Sequence, residues 1–193
     1  MAARRLPREF ARLSRIGDPF LRRLAFVGIL TKYLPPPAPI VVGGHAVEFY
    51  TLGSYATGDI DLIYPRPSVI GTLLTSWGFE QAGRHWVHPG LGLFVEVPND
   101  MVEGADFDRV IETEAGGLPV RVIGPEDIIV DRLNAFVHWK SPEDGFWALE
   151  LMRITYSQLD WKYLRARCKE ETTLKALQAL RRKARMRLAK DQL

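Results

Sequence analysis

Apolar positions along this chain switch between helical and extended periods. Phe20, Leu24, Val27 and Leu30 recur at helical spacing behind Asp18-Pro19, a helix start with Asp as cap and Pro at the first helical position. The run Pro35-Pro36-Pro37-Ala38-Pro39 ends that helix and acts as a stiff connector. A β-branched strand is predicted over 40–42, a short helix over 45–52 stopped at Gly53, and a strand over 59–64 closed by Pro65. Ser68 is expected to cap a helix through Val69, Leu73, Leu74 and Trp77, with Gly78 at its end. Short strands follow at 79–83 and 85–88, and a stronger one at 91–97. Residues 109–114 and 118–123 flank Ala115-Gly116-Gly117, a hairpin signal. Gly124-Pro125-Glu126-Asp127 opens a helix to about His138, and Ser141-Pro142-Glu143-Asp144 opens another on a variant capping box. From about Ser157 the chain reads as helical and increasingly basic.

Strands interleaved with helices, then helices alone, predict an α/β (α+β) core followed by a helical C-terminal part. The expected divisions are a basic N-terminal helical segment (1–35), the core (36–140) and a helical, basic C-terminal region (141–193). The net charge of +3 hides an uneven distribution: +5 over 1–23, −10 over 24–160 and +8 over 161–193. Basic ends on an acidic body fit contact with nucleic-acid phosphates, and equally fit solvated helix faces. With 193 residues, 47% of them hydrophobic, the chain can build one good core. It has no apolar run long enough to span a bilayer and no apolar leader with a cleavage site, so a cytoplasmic location without membrane contact is expected. The single cysteine, Cys168, excludes an internal disulfide and a Cys-rich zinc site, and is expected to be an ordinary helix residue.

The candidate chemistry lies in Ile40–Leu62, IVVGGHAVEFYTLGSYATGDIDL. Alternate side chains of a strand share a face, so Asp59 and Asp61 point one way while Ile60 and Leu62 enter a core. Two carboxylates about 4 Å apart at an effective dielectric of about 20 repel by roughly 4 kcal/mol. A hard divalent ion held by oxygens would offset that. Gly43-Gly44 sits between strand and helix, where glycine lets a phosphate approach the backbone and the first helical N–H groups point at it. Glu96, in Leu93-Phe94-Val95-Glu96-Val97, is a carboxylate among apolar neighbours and needs a partner. His85 and His88 flank Trp86-Val87 and are expected to be surface or core histidines, with no Cys or third His nearby to complete a metal site. No Walker-type loop, dinucleotide fingerprint or Gly-x-Ser-x-Gly elbow occurs.

Val42-Gly43-Gly44 followed by Asp59-Ile60-Asp61-Leu62 resembles the nucleotidyltransferase superfamily named for DNA polymerase β, above all its small prokaryotic members, some of them toxins or antitoxins of toxin–antitoxin and abortive-infection systems. The likeness runs over about 38–155 and is strongest over 41–62. It implies a mixed sheet flanked by helices, and Glu96 as the third acid. It also implies two Mg²⁺ ions on Asp59, Asp61 and Glu96, with NTP as substrate and NMP passing to an acceptor hydroxyl. Gly43, Gly44, Thr57, Arg132 and Lys140 are the expected contacts to the nucleotide. An RNA such as tRNA, a protein or a small molecule of the aminoglycoside type would be the acceptor, and a cognate toxin or antitoxin protein the partner. The chain departs from the pattern at Tyr55, where relatives often carry Arg, and at Gly44, where many carry Ser. Those departures support a rival reading: a catalytically silent module that binds nucleic acid or protein.

Overall fold

A computed structural model describes residues 6–97 and 107–190. The outermost residues of both basic ends, 1–5 and 191–193, therefore lie outside the described residues. Contacts divide the chain into two compact units, residues 1–48 with 56–123, and residues 49–55 with 124–193.

The first unit holds the whole sheet. Its helices are α1 (Phe10–Leu13), α2 (Pro19–Tyr33), most of α3 (Gly43–Tyr50) and α4 (Pro67–Ser76). Its strands are β1 (Ile40–Val41), β2 (Ile60–Ile63), β3 (Glu80–Ala82), β4 (His85–His88), β5 (Leu93–Glu96), β6 (Ile111–Ala115) and β7 (Leu118–Val122). They form one mixed sheet in the order β3-β4-β5-β2-β1-β7-β6. The pairs β1–β7 and β2–β5 are parallel, and the other four pairs are antiparallel. The expected mixed sheet with flanking helices is what forms.

Local chemistry explains most boundaries. The Asp18 carboxylate accepts from the Phe20 and Leu21 N–H groups, and Pro19 follows it at the head of α2. Gly116 and Gly117, with φ of +62° and +79°, make the two-residue turn that joins β6 to β7. Two expectations need correction. Arg66, not Ser68, occupies the cap position of α4, because Pro67 is already set for the first helical position and starts the helix before Ser68 is reached. Helix α3 begins at Gly43 rather than at residue 45, so the glycine pair forms its first turn. Gly43 can do this because its φ is +55°, a conformation that costs glycine little.

Ile60, Leu62, Val95, Val120 and Val122 are fully buried in the sheet. Helix α2 packs on β6 and β7, and Phe26 meets Phe79 with ring centroids 5.3 Å apart. The second unit is helical: α5 (Pro125–His138), α6 (Pro142–Thr155), α7 (Trp161–Glu170) and α8 (Leu174–Lys190). The Ser141 hydroxyl caps α6 by accepting from the Asp144 N–H. Tyr163 donates to Asp127 at 2.8 Å, and Glu126 accepts from the Asp160 N–H at 2.7 Å, so two buried acids join α5 to the start of α7. No helix among the described residues is long and apolar enough to cross a membrane.

The tightest approach of α2 to the sheet is at Gly28, where an added Cβ would lie 2.8 Å from the Leu118 Cβ and 3.3 Å from the Ala115 carbonyl oxygen. Gly28→Ala gains about 1 kcal/mol of helix propensity but overpacks against backbone at a cost of about 1–3 kcal/mol. A lower guanidinium midpoint with an unchanged slope is expected. A raised midpoint would show that α2 has room to move away from the hairpin.

Candidate active site

Strand β2 pairs in parallel with β5, and the register sets Ile60 opposite Val95 and Asp61 opposite Glu96. Strand β5 pairs antiparallel with β4, with Glu96 opposite His85. Asp61, Glu96 and His85 thus form a row across three neighbouring strands, and Asp59 precedes Asp61 by two residues on the same face. The apolar partners Ile60 and Val95 are buried on the other face.

The side chains converge accordingly. His85 Nε2 lies 3.3 Å from Glu96 Oε2 and 3.8 Å from Asp59 Oδ2. Arg84, largely exposed, places Nε 3.2 Å from the same Glu96 oxygen. Thr57 donates its hydroxyl to Asp59 Oδ1 at 2.7 Å, which fixes that carboxylate and leaves Oδ2 toward His85. Asp61 instead turns to the start of α3, where its Oδ2 accepts from the Gly44 N–H at 3.0 Å. Gly43 makes this approach feasible, since a Cβ there would sit 2.2 Å from Asp61 Oδ2. The helix N-terminus and the N–H both favour the charged carboxylate.

Beside Asp59 and His85 lies an open hollow of about 470 Å³ lined by Gly58, Ala82, Val87 and Phe94 in addition. Phe94 lines it and is 43% exposed, although its strand neighbours Leu93 and Val95 are buried.

Behind the glycine turn is a buried polar chain. Arg23 Nη2 donates to Glu48 Oε2 at 2.5 Å, and Arg23 Nε donates to His45 Nδ1 at 3.3 Å. Burial, reinforced by the Arg23 charge, pushes the His45 pKa down to about 3, with Asp59 opposing. His45 is therefore neutral, with Nδ1 as acceptor. Burial pushes the Glu48 carboxyl up, against the pull of Arg23.

The structure thus brings Asp59, Glu96 and His85 together and seats Asp61 on the glycine turn. The sequence reading placed His85 outside the site. His85 and His88 sit three apart on one strand and point to opposite faces, so they cannot share an ion. His88 packs against the Phe79 ring instead, with centroids 5.0 Å apart. In the helical unit, Arg132 bonds Asp131 at 3.0 Å through Nε and Asp144 at 2.7 Å through Nη1, tying α5 to α6. Lys140 is exposed in the turn between those helices, at a φ of +55°. The Tyr55 ring stands edge-on to Trp147, with centroids 5.0 Å apart. Burial pushes the Cys168 thiol up to about 11, which suits a packed helix residue.

The donor set suits a divalent cation: two carboxylate oxygens and one imidazole nitrogen, all within 4.8 Å of one another. Neighbouring ligands bound at about 2.0–2.2 Å to one ion lie about 3–4 Å apart, as two of these pairs do.

No family model and no curated protein matches the chain. Three solved structures resemble it. The antibiotic-resistance factor ANT(2″)-Ia in solution is 16% identical, covers 95% of this chain and 96% of its own, and has a TM-score of 0.47. An antigenic nucleotidyltransferase-like protein from Paracoccidioides brasiliensis is 15% identical over 83% of this chain and 94% of its own, with a TM-score of 0.49. ANT(2″)-Ia in complex with adenylyl-2″-tobramycin is 18% identical over 92% and 98%, with a TM-score of 0.41. With identities below 20% and scores below 0.5, what the site can do follows from its own residues.

The neutral His45 has a measurable consequence. Its folded pKa lies below the ordinary 6.5, so below pH 6.5 the unfolded chain takes up a proton that the folded chain refuses. This contribution is intact above about pH 6.5 and is lost as pH falls toward 3, by at most about 1.4 kcal/mol per pH unit. His45→Gln should flatten the melting temperature against pH between 6.5 and 5. Equal slopes in both proteins would mean that His45 protonates in the fold.

Proposed function

We propose that the chain moves a nucleoside monophosphate from a nucleoside triphosphate to an acceptor hydroxyl, with divalent cation held by Asp59, Asp61 and Glu96. The in-register juxtaposition of Asp61 and Glu96 on parallel strands, with Asp59 two residues away, carries this reading. Three acids on one face, beside a glycine turn, suit a substrate that arrives with metal-bound phosphates. When bound, such a cation would neutralise phosphate charge and lower the pKa of the attacking hydroxyl.

The chain's own groups do the positioning. Thr57 orients Asp59 through the 2.7 Å hydrogen bond. Gly43 leaves room for the Asp61 carboxylate, whose Oδ2 takes the Gly44 N–H at the start of α3. Glu96 takes the proton of the acceptor hydroxyl. A bond forms from the acceptor oxygen to the α-phosphorus, the bond to the bridging oxygen breaks, and pyrophosphate leaves. Arg84, whose Nε lies 3.2 Å from Glu96, must release it before it can act as a base.

The proposed acceptor is RNA, and the second unit supports it. Arg181 stacks over Trp161 at 4.1 Å, with Tyr156 4.9 Å from the same indole. Helix α8 carries no acid between Leu174 and Lys190, and Arg165, Arg182 and Arg185 line a hollow with Tyr156 and Arg181. Aromatic faces among these guanidiniums suit stacked bases and phosphates.

The test is incubation with each α-labelled nucleoside triphosphate, divalent cation and total RNA. Label should enter RNA only with the cation. Asp59→Asn and Glu96→Gln should each lower the rate by about 10²–10⁴-fold. Labelling of protein alone would replace RNA as the acceptor. No divalent-dependent label in any fraction would favour the silent binding module.

A further inference from the structure

We propose that His85 makes the acid cluster a mixed oxygen–nitrogen site that selects a first-row transition ion over Mg²⁺. This rests on the reading that the acids hold a divalent cation, and adds which class of ion they hold. Mg²⁺ is hard, demands oxygen ligands and keeps much of its water. Imidazole nitrogen is a poor ligand for it and a good one for later first-row ions. A site that lends a nitrogen to its cation therefore gains affinity for those ions and little for Mg²⁺.

Three observations support His85 as a ligand. First, the position of His85 is set by strand pairing. The β4–β5 ladder puts it opposite Glu96, with His88 opposite Leu93 closing the same register. Second, the distances suit coordination. Nε2 lies 3.3 Å from Glu96 Oε2 and 3.8 Å from Asp59 Oδ2, the separations of neighbouring ligands on one ion of transition-metal size. Third, the hydrogen bond from Thr57 engages Asp59 Oδ1 and leaves the oxygen that faces His85 for the ion. Ligand carboxylates are commonly held this way by an outer partner.

The competing arrangement is a plain ion pair, in which His85 and Arg84 serve only as counter-charges to Glu96. Arg84 is 74% exposed and can swing away at little cost. His85 is 30% exposed on a paired strand and stays beside the acids.

The experiment uses the full chain and Co²⁺ as probe, with Mg²⁺ for comparison. Calorimetric titrations of both ions are run on the wild type and on His85→Ala, with His85→Gln in its place if the alanine variant loses its fold by circular dichroism. The preference for Co²⁺ over Mg²⁺ should fall at least tenfold in the variant, with Mg²⁺ affinity changed less than about threefold. Proton spectra of the Co²⁺-loaded wild type should show a paramagnetically shifted, exchangeable imidazole N–H resonance that the variant lacks. Co²⁺ and Mg²⁺ binding with an equal preference in both proteins, or without that resonance, overturns the role of His85 and leaves the acid site standing. Failure of both ions to bind overturns the proposed function as well.

Discussion

The parallel pairing of β2 with β5 is the constraint on which the site depends. Its register puts Asp61 beside Glu96, and the two-residue period of the strand brings Asp59 to the same face. The strand pairing keeps these carboxylates on one face, where hydrogen-bond donors and positive charge stabilise them. The Gly44 N–H serves Asp61, the Thr57 hydroxyl serves Asp59, and Arg84 with His85 serves Glu96. Fully buried Ile60 and Val95 on the opposite face lock the register, because a one-residue slip would turn the acids into the core.

The glycine turn and the polar chain behind it hold the other side of the site. Gly43 lets the Asp61 carboxylate come where any side chain would block it. His45, one residue past Gly44, is kept neutral by burial and by Arg23, which Glu48 in turn holds. Replacing any member leaves a buried polar group without its partner, which costs more than one hydrogen bond contributes.

Features with local causes were legible in the sequence. Asp18-Pro19, Ser141-Pro142 and Gly116-Gly117 each act on their own few residues, and each behaves in the fold as its chemistry predicts. The same holds for Ile60 and Leu62, whose alternation with the aspartates marks the buried face. Competition between neighbours was harder to see: Pro67 pre-empts Ser68, and the permissive φ of Gly43 lets α3 start two residues early. The meeting of His85 with the acids had no local signal. All four residues of β4 are half-buried, so the strand shows no amphipathic contrast, and only the long-range register with β5 reveals its face. Arg132 was equally opaque, because Asp144, which helps hold it, lies on the following helix.

On the proposed function, Asp59, Asp61 and Glu96 take a triphosphate together with a divalent cation. Calorimetric titration of a non-hydrolysable nucleoside triphosphate analogue, with and without that cation, tests it most directly. Binding should require the cation and disappear in Asp61→Asn. Binding of equal strength in the presence of a chelator, or unchanged by that substitution, would contradict the proposed function.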